Sequence, residues 1–137
     1  MITAVDTSVL LDVLGDDPVF RDGSLRALRA SIDAGALIAG EVVWAEVLSS
    51  FADPLEGERS LARIPIELIP SGRVAAAAAS RAWREYRQRG GPRLRIIADF
   101  LIGAHAATHA DRLLSRDRGF YRSAFSGLSV IDPTEEA

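Results

Sequence analysis

The sequence predicts a single α/β domain, a short parallel sheet flanked by helices, and three observations carry that prediction. Short apolar segments, several rich in β-branched residues, alternate with stretches of helical periodicity. A chain of 137 residues suits one domain with a substantial buried core. No internal repeat, low-complexity linker or break in composition divides it.

Each element has a local reason. Residues 2–5 read as a buried strand, and Thr7 or Ser8 is placed to cap a helix running to about Leu14. "GDDP" is a loop, with Pro18 suited to the first position of the next helix. Phe20, Leu25, Leu28 and Ile32 recur at helical spacing up to Gly35, which closes that helix. "ALIAG" from Ala36 is a second strand, "EVVWAEVLSSFA" a helix, and Pro54 an interruption. "LEGERSLARIP" is a weaker helix ending before Pro65, and "IELI" from Ile66 a third strand. Ser71 is placed to cap the alanine-rich helix that follows, which Gly90, Gly91 and Pro92 end. A further helix starts near Ile97, a fourth strand is "RLLS" from Arg112, and a fifth is "LSVID" from Leu128. Between them "RGFYRSAF" is a short helix or turn, and residues 133–137 read as a frayed tail.

Composition narrows the function. The chain has no cysteine, which excludes disulfides, thiolate nucleophiles and cysteine zinc sites and fits a reducing compartment, the cytoplasm. No basic segment precedes the first apolar run, and the alanine-rich stretch is too short to span a bilayer. The net charge of −3 alone argues weakly against nucleic-acid binding. Carboxylates gathered into a metal site would reverse that argument.

Such a gathering is suggested by four acids. Asp6 ends the first strand, Asp117 follows the fourth, Asp99 lies in the first turn of a helix, and Glu46 interrupts an apolar helix. Parallel sheets place functional groups at the carboxyl ends of their strands. Carboxylates about 4 Å apart repel by roughly 4 kcal/mol at an effective dielectric near 20, so a cluster demands a cation. All-oxygen ligands select Mg²⁺ or Mn²⁺, which suit phosphodiester hydrolysis. Each acid also has a plainer reading. Asp6 is a helix cap, Asp99 a favourable charge at a helix N-terminus, Asp117 a turn aspartate, and Glu46 exposed or paired.

Four motifs then resemble one family in order and spacing, over nearly the whole chain. "VDTSVLLDVL", "AEVLS", "IIADFLIGAHA" and "LLSRDRGFYR" are similar to the acidic motifs of PIN-domain ribonucleases, in particular VapC-type toxins of bacterial toxin–antitoxin pairs. The resemblance implies an α/β/α sandwich and an endoribonuclease site in which Asp6, Glu46, Asp99 and Asp117 hold Mg²⁺ or Mn²⁺. It assigns Ser8 as the hydroxyl supporting Asp6. It also implies an RNA substrate, a small VapB-type antitoxin that blocks the site, and a homodimer or toxin–antitoxin hetero-oligomer.

Arg93, Arg95, Arg116 and Arg118 flank these acids and suit contacts to RNA phosphates. His105 and His109 share a helix face without a third zinc ligand, and are expected as one buried and one near-surface histidine. Trp44, Trp83 and Tyr86 read as core or partner interface. Three alternatives remain: a PIN nuclease that processes RNA without an antitoxin, a phosphoacceptor signalling domain and an acidic binding module. The absence of lysine from the second half disfavours the phosphoacceptor.

Overall fold

The computed structural model describes residues 1–92 and 95–135. Five strands form one fully parallel sheet, in the order β3-β2-β1-β4-β5. These are β1 (Ile2–Val5), β2 (Ala36–Ala39), β3 (Ile66–Leu68), β4 (Arg112–Leu114) and β5 (Val130–Ile131). The helices are α1 (Thr7–Leu14), α2 (Arg21–Ala34), α3 (Glu41–Ser49), α4 (Pro54–Leu61), α5 (Gly72–Gln88), α6 (Ile97–His109) and α7 (Arg118–Ala124). The expected α/β architecture is the observed one, an α/β/α fold.

The main core joins sheet residues such as Val5, Leu37, Leu113 and Leu114 to Val9 and Leu10 of α1, Leu28 of α2 and Val47 of α3. A second cluster packs the alanine face of α5 (Ala75, Ala79 and Ala82) on Phe100 and Ala104 of α6. Small side chains at Ala75 and Ala79 let those two helices lie close, whereas Ala76 and Ala77 are exposed and favour the helix by propensity alone. Chain order runs outward from β1 in both directions. The connection direction therefore switches between β1 and its neighbour β4, where open α/β sheets form ligand crevices.

Several local expectations change. Asp6, not Thr7 or Ser8, occupies the cap of α1, its Oδ1 accepting from Thr7 N at 2.8 Å. Pro18 does not open α2: Asp17 Oδ1 accepts from Val19 N and Phe20 N, holding a turn, and the helix begins at Arg21. Pro54 is the first residue of α4 rather than a break, with Asp53 capping Leu55 N. Ser71 sits at the cap of α5, but its hydroxyl makes no capping bond and has no partner among the described residues. Gly35 does close α2; a Cβ there would lie 2.0 Å from Met1 O, so the crossing into β2 requires glycine.

At the other end of the chain, Asp132 Oδ1 accepts from Thr134 N and Thr134 Oγ1. Glu135 pairs with Arg118. Residues 133–135 thus form a bonded turn, and residues 136 and 137 of the expected tail lie outside the described residues. No helix among the described residues is long and apolar enough to cross a membrane.

Candidate active site

β1 and β4 run side by side with Val5 opposite Leu114, so the residues that follow them emerge together. Asp6 N donates to Leu114 O at 3.0 Å, and Ser115 Oγ donates to Asp6 Oδ2 at 2.7 Å. Ser115 Oγ also accepts from Asp117 N at 2.9 Å. One fully buried hydroxyl therefore ties the acid after β1 to the acid after β4.

The other two acids come from helices. Asp99, in the first turn of α6, folds back so that its Oδ2 accepts from Ile96 N at 3.0 Å. Glu46, midway along α3, accepts from Thr7 Oγ1 at 2.7 Å through Oε1. All four acids, with Thr7, Ser8 and Tyr121, border one open cleft of about 490 Å³. Asp6 both caps α1 and borders the cleft.

Electrostatics show the strain of this arrangement. Asp6 is 7% exposed, and burial pushes its pKa up. The hydrogen bonds from Ser115 and Thr7 pull it down, and the charges of Glu46 and Asp117 push it up again. Tyr121 has its pKa raised by burial first, then by Asp6, Asp99 and Asp117, so its phenol stays protonated.

A cation fits the donor set. Among the described residues Glu46 Oε2, Asp99 Oδ1 and Asp117 Oδ1 accept no hydrogen bond, and every donor is a hard oxygen. No three acidic or histidine side chains among the described residues are drawn together as closely as metal ligands are. Each acid instead accepts a hydrogen bond from a donor of its own.

The arginines are placed differently from a row of free cations. Arg95 donates from Nη1 to Asp117 Oδ2 and stacks 4.1 Å from the Phe120 ring centroid. Arg116 grips Asp12 through two bonds of 2.9 and 3.1 Å and lies 3.9 Å from the Phe20 ring centroid. Asp12 is 3% exposed and also accepts from Ser24 Oγ. Arg118 pairs with Glu135, and Arg93 lies outside the described residues.

Ser8 borders the cleft, but among the described residues the hydroxyl bonded to Asp6 is that of Ser115. The sequence did not single out Ser115, Tyr121 or the Asp12–Arg116 pair, and marked Thr7 only as a helix cap. Ser115 had a signal, its position at the end of a predicted strand beside Asp117. Tyr121 lies one helical turn after Asp117. The histidines are as expected: His105 is buried with Nε2 2.7 Å from Ile69 O, and half-buried His109 has Nε2 2.7 Å from Ser71 O.

Comparison with known proteins identifies the family and the fold. The profile of the PIN domain matches residues 3–126, and the chain belongs to that family of nucleases. Among solved structures it is similar to VapBC2 from Rickettsia felis bound to a DNA fragment from their promoter. There the TM-score is 0.76 and the identity 20%, over 96% of this chain and 98% of that one. A toxin–antitoxin complex from Klebsiella pneumoniae gives 0.73 and 20%, over 98% and 99%. FitAcB from Neisseria gonorrhoeae gives 0.72 and 19%, over 99% and 100%. At these identities the likeness is one of fold. No curated protein matches the sequence.

Proposed function

We propose that this chain is a divalent-cation-dependent endoribonuclease and the toxin of a toxin–antitoxin pair. The observation that carries this reading is the meeting of Asp6, Glu46, Asp99 and Asp117 at one cleft, at the switch point of a PIN-domain sheet. These four carboxylates would hold Mg²⁺ or Mn²⁺. Bound there, the cation supplies charge neutralisation for a phosphate and activation of a water molecule.

The chain's own groups do the positioning. Ser115 fixes the orientation of Asp6 and the backbone of Asp117 together. Thr7 holds Glu46 toward the cleft. Tyr121, kept as a neutral phenol, offers a hydrogen-bond donor at the cleft wall. Arg116 borders the acid cleft itself and Arg95 reaches it through Asp117, so both are placed to meet a phosphate. Arg116 also holds the buried Asp12, and Arg118 pairs with Glu135.

Solved relatives of this fold include toxin–antitoxin complexes, which supports a small antitoxin as partner. We extend the reading to action in the cytoplasm, as a homodimer or a hetero-oligomer with that antitoxin. The test is expression of the chain with and without the short protein encoded beside it. Growth arrest relieved by the neighbour is the expected result. Harmless expression of a protein that cleaves RNA would favour an RNA-processing nuclease instead.

A further inference from the structure

The acid cleft has a neighbour. A cavity of about 310 Å³ opens on the other side of Arg95, between the C-terminal end of α5 and the outer side of α7. Tyr86 and Arg89 border it from α5, Phe120 and Ser123 from α7, with Pro92 and Arg95 between. Its size is at the low end of ligand sites, suited to a single small unit. Its charged lining residues are both cationic, Arg89 and Arg95, with no acid among the described lining residues.

The walls are held in place. Tyr86 Oη donates to Pro92 O at 2.7 Å, and its ring meets Phe120 edge-on at 6.3 Å. Gly91 lies so close that a Cβ there would sit 2.5 Å from the Tyr86 ring. Arg95 is shared between the two hollows: its guanidinium carbon lies over the Phe120 ring, 4.1 Å from the centroid, while Nη1 reaches Asp117 of the acid cleft. Its side chain remains 30% exposed. A flat cation backed by an aromatic ring, with a second arginine at the rim, is a stacking surface for a nucleobase beside a contact for its phosphate.

We infer that this cavity is a nucleotide subsite. It takes one base of single-stranded RNA against the Arg95–Phe120 stack, with Arg89 on the flanking phosphate, next to the strand segment that crosses the four acids. The inference rests on the nuclease reading and adds where the substrate is gripped beside the acids.

Ser123 and Arg89 are exposed, and their side chains make no hydrogen bond or ion pair among the described residues, so both tolerate change. Ser123→Leu fills the cavity from its rim without adding a π face. Arg89→Ala removes the rim cation. The probe is a single-stranded RNA decamer with 2-aminopurine at each position in turn, bound in Ca²⁺ without Mg²⁺, alongside a melting curve for each variant. Wild-type protein should quench the fluorescence at one position. Ser123→Leu, melting normally, should lose that quench and about tenfold in affinity, the scale of one stacked base. Arg89→Ala should lower the slope of log affinity against log salt by about 0.7. An RNA abasic at the quenched position should bind both Ser123→Leu and wild type with the same reduced affinity.

Unchanged RNA affinity and an intact quench in Ser123→Leu would overturn the subsite and leave the nuclease reading standing. The same holds if that variant weakens only the complex with a partner protein. Failure of the wild type to bind RNA at all would overturn both.

Discussion

Removing the Ser115 hydroxyl should loosen the cleft and the fold together. The side chain is fully buried, donates to Asp6 Oδ2 and accepts from Asp117 N. Ser115→Ala loses a hydrogen bond to a carboxylate, worth about 1.5–3 kcal/mol, and leaves a half-buried N–H short of its acceptor, about 1 kcal/mol more. A total near 3 kcal/mol is the working figure. A chain of 137 residues unfolds with an entropy of roughly 0.29 kcal/mol/K, so the melting temperature should fall by about 10 °C. The Ser115 bond also lowers the Asp6 pKa, so its loss raises that pKa further. The deficit should therefore be largest at neutral pH and shrink in acid, where Asp6 is protonated and gains less from the donor. Cleavage should fall as well, because Asp6 is released from its orientation. The assay is calorimetry from pH 4 to 7, with a cleavage assay on the same samples. A fall under about 3 °C with unchanged cleavage would refute the reasoning.

Three further outcomes follow from the same contacts. Asp6 has a folded pKa raised above its unfolded value, so the wild type loses stability as pH rises through that window, and Asp6→Asn removes the loss. In EDTA the melting temperature of Asp6→Asn minus that of wild type should grow from pH 4 to 7; a shrinking difference in differential scanning fluorimetry contradicts this. Arg116→Ala strands the buried Asp12 carboxylate and should cost about 2 kcal/mol, about 7 °C in a thermal melt, and because Arg116 borders the cleft it should also lower the salt slope of RNA binding. Arg95→Ala should instead stay within about 1 kcal/mol of wild-type stability while lowering that salt slope by about 0.7 in a binding titration.

Much of this site is legible along the sequence because its acids announce themselves locally. Asp6 and Asp117 sit where short apolar strands stop, and Glu46 breaks an apolar helix, so the topology alone brings them to one sheet edge. What stays hidden depends on residues far apart in the chain. Ser115 reaches Asp6 from 109 positions away, and Arg116 reaches Asp12 from 104. The family resemblance points to Ser8 as the supporting hydroxyl, and the sequence places Arg116 beside Asp117 without showing its bond to Asp12. Only the pairing of β1 with β4 reveals the alternatives. The start of α2 is hidden for a different reason. Asp17 bonds two backbone N–H groups and builds a turn, and that competes with the preference of Pro18 for a first helical turn. Ser71 has the right residue type for a cap, yet its backbone is engaged by Glu41 and His109 instead.

The central claim is that these four carboxylates hold a divalent cation that supports RNA cleavage. Its most direct test is cleavage of a single-stranded RNA as Mn²⁺ is titrated into metal-free protein, for wild type, Asp6→Asn and Asp99→Asn. Melting curves must establish that each variant is folded. The account predicts saturable cleavage by the wild type that EDTA abolishes, and little cleavage by either folded variant. Wild-type cleavage that survives EDTA, or full activity in Asp6→Asn, would contradict it.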